Sequence, residues 1–184
     1  SYAWMLTQKS KYKVIVLHLV RDPRSTTNSW ITKPIPMYDT RNRMFTTRTR
    51  TELEAVVYWI RSNMAAWLLS QLGLPYKRIQ YEAYVNNPYD LTKQIADFMH
   101  KTFVPVTLDG NGLDNLKKGQ IVHKERHLIG SNPGLKRQVG DVTIREDLKW
   151  LDDVSKIKYV VWTVIYLPWL VWFGYPLWIK KPHD

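Results

Sequence analysis

The chain has 184 residues, of which 45% are hydrophobic, and it contains no cysteine. This composition excludes a globally disordered chain, and the length predicts a single domain over residues 1–184. The lack of cysteine excludes a disulfide framework, cysteine-ligated zinc, an iron–sulfur cluster and a thiol nucleophile. The net charge of +11 indicates an anionic partner, such as nucleic acid, anionic lipid, a nucleotide or an acidic glycan.

The first predicted elements are a buried strand, a polar turn and a helix. Tyr12–Val20 is nearly continuously apolar and β-branched, which predicts a strand buried on both faces, as in a parallel sheet. The polar turn Arg21–Arg24 ends it, and Ser25–Trp30 can start a helix. A strand, a polar turn and a helix in this order are typical of anion sites in α/β proteins.

A basic loop and a long helix follow. Residues 32–50 contain two prolines and four arginines, which predicts an irregular loop. Thr51–Glu54 has the pattern of a capping box, and apolar residues then recur at helical spacing from Leu53 to Leu72. Gly73 predicts the end of this helix.

The second half of the chain continues the alternation of strands and helices. Lys77–Tyr81 is predicted to be a strand, and Asn87 and Pro88 are predicted to start a helix. The order of elements therefore predicts an α/β fold with crossover helices on a parallel sheet. We expect residues 107–140 to be mostly loop, and a helical stretch to lead from Ile144 into Trp150.

The turn after the first strand carries the residues best suited to bind a phosphate. Arg21 follows the carboxyl end of the strand, and Ser29 lies eight residues later on the helix. A guanidinium, a hydroxyl and helix N–H groups can hold a phosphate together. Asp22 can orient an arginine, and Pro23 stiffens the turn. From the residues alone, an ordinary turn with a solvated Arg–Asp pair remains an equal alternative.

The segment LVRDPRSTTNSW resembles the 3′-phosphate-binding motif of sulfotransferases that use 3′-phosphoadenylyl sulfate, in the form found in Golgi carbohydrate sulfotransferases. The resemblance implies that Arg21 and Ser29 bind the 3′-phosphate. The segment IQYEAYVNNPYDLTKQIADFM is similar to the family's strand–helix segment, which implies that Tyr81 lies near the adenine. Ala83 departs from this pattern, because the family usually has an acid there.

The segment HLIGSNPGLKR resembles a loop that covers the nucleotide phosphates in one branch of the superfamily. The residues that it would contribute are His127, Gly130, Asn132, Lys136 and Arg137. Ser131 is an insertion relative to the common form of this loop, and the basic pair is shifted.

The resemblance implies a P-loop-NTPase-like parallel sheet flanked by helices and incomplete at its N-terminus. It implies an enzyme that transfers a sulfuryl group from 3′-phosphoadenylyl sulfate to a hydroxyl or amino group of a carbohydrate, releasing adenosine 3′,5′-bisphosphate without a metal. It also implies localisation in the Golgi lumen through an N-terminal membrane anchor, and the cytoplasm is the alternative. Nucleic acid is not an expected partner.

The family's 5′-phosphosulfate loop has no counterpart in this sequence and would precede Ser1. We therefore expect the chain to be the C-terminal part of a sulfotransferase domain and to be inactive alone. No catalytic residue is identified.

Three further features leave alternatives open. The run Arg41, Arg43, Arg48 and Arg50 could contact an acidic glycan or form a solvated basic loop. His18 is expected to be packed in its strand rather than catalytic. His123 and His127 flank Glu125, but they lack a third ligand and predict no metal site.

Residues 159–179 form an uncharged stretch that is long enough to span a membrane. Pro168, Gly174 and Pro176 interrupt it, so a terminal hydrophobic helix docked on the protein is favoured, with membrane association as the alternative.

The rival function is a non-enzymatic module that binds polyanions such as glycosaminoglycan or nucleic acid. Such a module would show steep salt dependence and no preference for a 3′-phosphate.

Overall fold

The computed structural model describes residues 14–34, 36–38, 44–46, 48–102, 110–123, 140–144 and 146–179. In these residues the fold is mixed α/β and mostly helical. The strands are β1 (Val16–Val20), β2 (Pro36–Tyr38), β3 (Met44–Thr46), β4 (Tyr76–Gln80), β5 (Gln120–His123) and β6 (Gly140–Thr143). The helices are α1 (Pro23–Thr32), α2 (Glu52–Gln71), α3 (Tyr81–Asn86), α4 (Pro88–Thr102), α5 (Gly110–Lys117), α6 (Trp150–Asp153), α7 (Lys156–Ile165) and α8 (Leu167–Phe173).

The chain divides into two compact units. The first contains the described residues of Ser1–Val20, Ile60–His123 and Gly140–Arg145. The second contains those of Arg21–Trp59, Lys124–Val139 and Glu146–Asp184.

A small parallel sheet lies in the first unit. Strands β1 and β4 pair in parallel, from Val16 opposite Tyr76 to Val20 opposite Gln80. Within the described residues this sheet has two strands, so the predicted parallel pairing is present on a small scale. The prediction that the first strand is buried on both faces is wrong, because Leu17 and Leu19 are exposed on one face and only His18 and Val20 are buried.

Several predicted boundaries need correction. Strand β4 ends at Gln80, and Tyr81 is the first residue of helix α3 rather than the last residue of a strand. The described part of the predicted loop 32–50 includes an antiparallel pair, β2 and β3. Helix α5 and strand β5 occupy described parts of the predicted loop 107–140, and β5 pairs with β6, which begins at Gly140, the last residue of that loop. The helix predicted from Ile144 begins only at Trp150.

The start and the end of the long helix α2 follow from local chemistry. The Thr51 side chain accepts a hydrogen bond from the Glu54 N–H at 3.3 Å, and the Glu54 carboxylate accepts one from the Thr51 N–H at 2.9 Å. This is the predicted capping box, in which each residue satisfies an N–H group of the other. The bond from Thr51 N–H, together with Arg48, lowers the pKa of Glu54. At the other end, Gly73 adopts a φ of 78°, which glycine tolerates and which stops the helix.

A buried histidine connects three elements of the first unit. The Nε2 of His18 lies 2.8 Å from the Asn63 side-chain oxygen, and its Nδ1 lies 2.6 Å from the Tyr76 hydroxyl. A neutral imidazole fits both contacts, because it can donate at Nε2 and accept from the hydroxyl at Nδ1. Burial lowers the pKa of His18, an effect that the charge of Arg78 reinforces and the bond to Asn63 opposes. His18 is therefore packed, as the sequence predicted.

The apolar stretch 159–179 contributes to two helices rather than one. Helix α7 begins at Lys156, where Ser155 accepts a hydrogen bond from the Lys158 N–H, and it ends at Ile165. Helix α8 follows after Tyr166, and Pro168 lies in its first turn, where the missing N–H of proline is harmless. None of the helices in the described part of the chain combines the length and the apolar composition needed to cross a bilayer.

Replacing Thr51 by Ala is expected to lower the free energy of unfolding by about 1 kcal/mol, because the Glu54 N–H loses its acceptor. Urea denaturation measures the difference. Ser62→Ala, at an exposed position of the same helix, serves as the control and should change stability by less than about 0.5 kcal/mol. Equal effects of the two changes would contradict a capping role for Thr51.

The lowered pKa of His18 gives stability a defined pH dependence. The unfolded chain takes up a proton near the ordinary pKa of about 6.5, whereas the folded chain takes it up only at lower pH. The free energy of unfolding should therefore fall as the pH falls from the unfolded pKa to the folded one. Urea titrations at about pH 7.5 and about pH 5.5 should show that His18→Gln removes part of this loss. His100→Gln, at an exposed helical position, should leave the loss unchanged.

Candidate functional site

The turn between β1 and α1 is built around Asp22. Its carboxylate accepts a hydrogen bond from the Arg24 N–H at 2.8 Å, which makes it the N-cap of helix α1. The Asp22 carbonyl accepts the first helical bond, from the Thr26 N–H at 3.0 Å. Pro23 occupies the first helical position, for which its fixed φ is suited. The helix therefore begins two residues before the predicted Ser25.

Arg24 forms a buried, two-pronged ion pair with Asp22. Its Nε and Nη2 donate to the two carboxylate oxygens at 3.1 and 2.7 Å. The Arg24 side chain is 0% exposed and that of Asp22 is 3% exposed. An ion pair out of water is tolerated only when further hydrogen bonds satisfy its polar atoms.

The remaining donors of Arg24 reach the C-terminal segment of the second unit. Its Nη1 lies 2.9 Å from the Tyr159 hydroxyl, 3.2 Å from Thr163 Oγ1 and 2.7 Å from the Leu177 carbonyl oxygen. Its Nη2 donates to the Pro176 carbonyl at 2.8 Å. Arg24 thus fastens helix α7 and the residues after helix α8 to the turn.

Aromatic side chains also hold the backbone of the turn. The Trp59 indole N–H donates to the carbonyl of Arg21 at 3.2 Å. The Trp59 ring packs edge-to-face against Tyr166 and Phe173, with centroids 5.6 Å apart in each pair. Burial raises the pKa of Tyr166 to about 12, and its neutral hydroxyl hydrogen-bonds to Thr27 at 2.7 Å. The carbonyl of Arg21 is therefore anchored to the same aromatic cluster as helix α1.

Arg21 and Ser29 lie on this one strand-to-helix connection. Arg21 directly follows β1, and Ser29 lies in the second turn of α1; both are half-buried. Seven residues separate Ser29 from the N-cap Asp22, a spacing that returns to the same side of a helix. Arg21 therefore lies in the turn itself, whereas Ser29 lies about two helical turns further along α1, on the side of the N-cap.

The charges at the turn favour an anion. Arg24 compensates the negative charge of Asp22 within their buried pair. Residues 21–24 contain two arginines and one aspartate, so their formal charge is +1. The N-terminus of helix α1 adds the positive end of its dipole.

The other predicted nucleotide residues belong to the first unit or lie outside the described residues. Tyr81 belongs to the first unit, where it is half-buried at the start of helix α3. His127, Gly130, Asn132, Lys136 and Arg137 lie outside the described residues.

Two residues of the predicted glycan-binding run have partners within the second unit. Arg48 is exposed and pairs with Glu54. The Arg50 guanidinium lies 4.8 Å from the centre of the Trp30 ring and 4.1 Å from that of the Tyr58 ring. Arg41 and Arg43 lie outside the described residues.

Sequence reasoning missed most of the residues that hold the turn in place. It noted that Asp22 could orient an arginine, but it assigned no role to Trp59, Tyr159 or Thr163. The only available signal was the second arginine of the RDPR sequence, because the other partners are far away along the chain.

In the described part of the chain, no group of three or more His, Asp or Glu side chains is placed to hold a metal ion. The chain matches no known protein family, no curated protein and no solved structure. The resemblance to sulfotransferases therefore depends on the residues of the chain itself.

Replacing Arg24 by Met is expected to lower the free energy of unfolding by about 3–5 kcal/mol, because Asp22 would remain buried without its counter-charge. Arg24→Lys should recover only part of the loss, since an ammonium cannot form the two-pronged pair. The matched control is Arg48→Met, which removes an exposed ion pair and should cost less than about 1 kcal/mol. Similar losses for Arg24→Met and Arg48→Met in urea denaturation would show that the buried pair does not hold the turn.

Proposed function

We propose that this chain contributes the 3′-phosphate-binding part of a sulfotransferase that uses 3′-phosphoadenylyl sulfate. The observation that carries the proposal is the connection from β1 to α1, in which Arg21 directly follows the strand, Ser29 lies in the second turn of the capped helix, and Asp22 is paired with Arg24. The acceptor would be a hydroxyl or amino group of a carbohydrate.

The charge arrangement supports binding of a phosphate rather than of a neutral group. An unpaired carboxylate at the N-cap would repel a phosphate, and the buried pair with Arg24 removes this repulsion. Arg21 can then donate to phosphate oxygens, to which hydrogen bonds from a charged group are the stronger kind.

The rigidity of the turn supports the same proposal. Trp59 fixes the Arg21 carbonyl, and Arg24 fixes the first turn of the helix through the bonds described above. Ser29 lies roughly 10 Å along the helix axis from the N-cap. The Arg21 side chain must therefore run along the helix for both groups to reach one phosphate. A backbone that is held in place reduces the entropic cost of ordering this side chain on binding.

The remaining parts of the proposal come from the resemblance. Tyr81 would contact the adenine, and the loop with His127, Gly130, Asn132, Lys136 and Arg137 would cover the phosphates. The parallel pair β1–β4 would belong to a P-loop-NTPase-like sheet. Sulfuryl transfer needs an acceptor oxygen held in line and positive groups to balance charge on the leaving phosphate. The basic residues of this chain would supply part of that positive charge.

Calorimetry with adenosine 3′,5′-bisphosphate tests this function. Arg21→Ala and Ser29→Ala should each weaken binding by roughly 1.5–3 kcal/mol, about tenfold to 150-fold, because each removes a hydrogen bond to a charged phosphate. Arg48→Ala is the matched control, since it removes an exposed arginine of the same unit, and it should leave the affinity unchanged. AMP, which lacks the 3′-phosphate, should bind more weakly than the bisphosphate and should be insensitive to Arg21→Ala.

Unchanged affinity of the Arg21→Ala protein for the bisphosphate would contradict the proposal. Equal affinity for AMP and the bisphosphate, combined with a steep loss of binding as salt is raised, would instead identify a general polyanion-binding protein.

A further inference from the structure

Arg50 lies against two aromatic rings, one from helix α1 and one from helix α2. Its guanidinium carbon is 4.8 Å from the centre of the Trp30 ring and 4.1 Å from that of the Tyr58 ring. The two rings meet edge-to-face, with centroids 5.2 Å apart and planes at 79°. The Arg50 N–H also donates a hydrogen bond to the Trp30 carbonyl at 3.0 Å. Both the backbone and the head group of Arg50 are therefore held in place within the second unit.

The Arg50 guanidinium has no paired acid in the part of the chain that the structure describes. Three acidic residues are described between residues 21 and 59, and each of them is paired with another cation. These pairs are Asp22 with Arg24, Glu52 with Lys158 and Glu54 with Arg48. Among the described residues, none accepts a hydrogen bond from the Arg50 side chain. Its donors therefore remain available to an anion from outside.

The aromatic contacts prepare Arg50 to bind such an anion. Contact with two rings restricts the rotamers of a long side chain, so less conformational entropy is lost on binding. Arg50 is half-buried and Tyr58 is 48% exposed, so the head group is reached from solvent while part of its water is excluded. Hydrogen bonds from a charged donor to an anion are stronger in such surroundings than in bulk water.

We propose that Arg50, supported by Trp30 and Tyr58, binds the carboxylate of an acidic sugar. A guanidinium can donate two parallel hydrogen bonds to a carboxylate, and the exposed part of the Tyr58 ring offers an adjacent apolar surface to the C–H groups of the sugar. The inference rests on the proposed function for the identity of the ligand, because that function requires a carbohydrate acceptor, and it narrows the acceptor to one that contains a uronic acid. Arg48 is not selected, since its guanidinium already pairs with Glu54.

Calorimetry with a hexasaccharide of alternating glucuronic acid and N-acetylglucosamine tests the proposal. The same hexasaccharide with its carboxylates reduced to alcohols is the neutral counterpart. The unmodified protein should bind the acidic sugar at least about tenfold more tightly than the neutral one, because reduction removes the acceptor of a charge-assisted contact. This comparison uses no variant, so it does not depend on any effect of mutation on folding.

Variants assign the contact to Arg50. Arg50→Gln should weaken binding of the acidic hexasaccharide about tenfold and leave binding of the neutral one unchanged. Arg50→Lys keeps the charge but cannot form the two-pronged contact, so it should recover only part of the affinity. The matched control is Arg48→Gln, which removes a positive charge that already has a carboxylate partner and should change the affinity less than about twofold. Urea denaturation of each variant checks that it is folded.

Four results would overturn the proposal. The first is equal affinity of the unmodified protein for the acidic and the neutral hexasaccharide. The second is an equal loss of affinity in Arg50→Gln and Arg48→Gln, which would assign the effect to net charge. The third is an Arg50→Gln protein that is less stable but binds the acidic sugar normally, which would make Arg50 a structural link between the two helices. The fourth is equally tight, Arg50-dependent binding of a glutamate peptide, which would show that the site recognises carboxylates without a sugar.

Titration of the unmodified protein with adenosine 3′,5′-bisphosphate separates this proposal from the proposed function. Arg50-dependent binding of the acidic sugar without binding of the nucleotide would contradict the sulfotransferase and support the sugar site. Binding of the nucleotide together with any of the four results above would overturn the sugar site and leave the proposed function in place.

Discussion

The buried ion pair between Arg24 and Asp22 constrains those described segments of the second unit that meet at the start of helix α1. Removing two charges from water is costly, so every donor of the guanidinium must find an acceptor. The Asp22 carboxylate accepts hydrogen bonds from Nε and Nη2 of Arg24. Side chains of helix α7 and the carbonyl of Leu177 lie within hydrogen-bond distance of Nη1, and the carbonyl of Pro176 accepts a second bond from Nη2. The start of helix α1, helix α7 and the residues just after helix α8 are therefore held together by the hydrogen bonds of one side chain.

The same pair connects packing to the proposed chemistry. Arg24 neutralises the negative charge of Asp22. The Asp22 carboxylate can therefore cap helix α1 without repelling an anion from the turn. Two arginines three residues apart thus have different tasks: Arg24 is structural, and Arg21 is the proposed phosphate ligand. The terminal helices pack in the second unit through one side, and apolar side chains on their other side are exposed.

Local chemistry made several features predictable from the sequence. The capping box at Thr51 and Glu54, the end of α2 at Gly73 and the start of α4 at Pro88 were predicted correctly, because neighbouring residues determine them. The strand before Arg21 was recognised by its apolar run, and Ser29 is on the predicted helix. The sequence also predicted that His18 is packed, but it did not identify Asn63 and Tyr76 as its hydrogen-bond partners.

The tertiary structure decided what depended on distant residues. Apart from Asp22, the partners of Arg24 lie 135–153 residues away, so no local spacing could distinguish its role from that of Arg21. The exposed face of β1, with Leu17 and Leu19, has the same apolar sequence as a strand covered on both sides. The apolar stretch 159–179 was visible, but its pattern could not show which side packs, because both sides are apolar. The sequence by itself determined the local elements and the candidate residues of the turn. The fold determined which charges are buried, because burial depends on segments that meet only when the chain is folded.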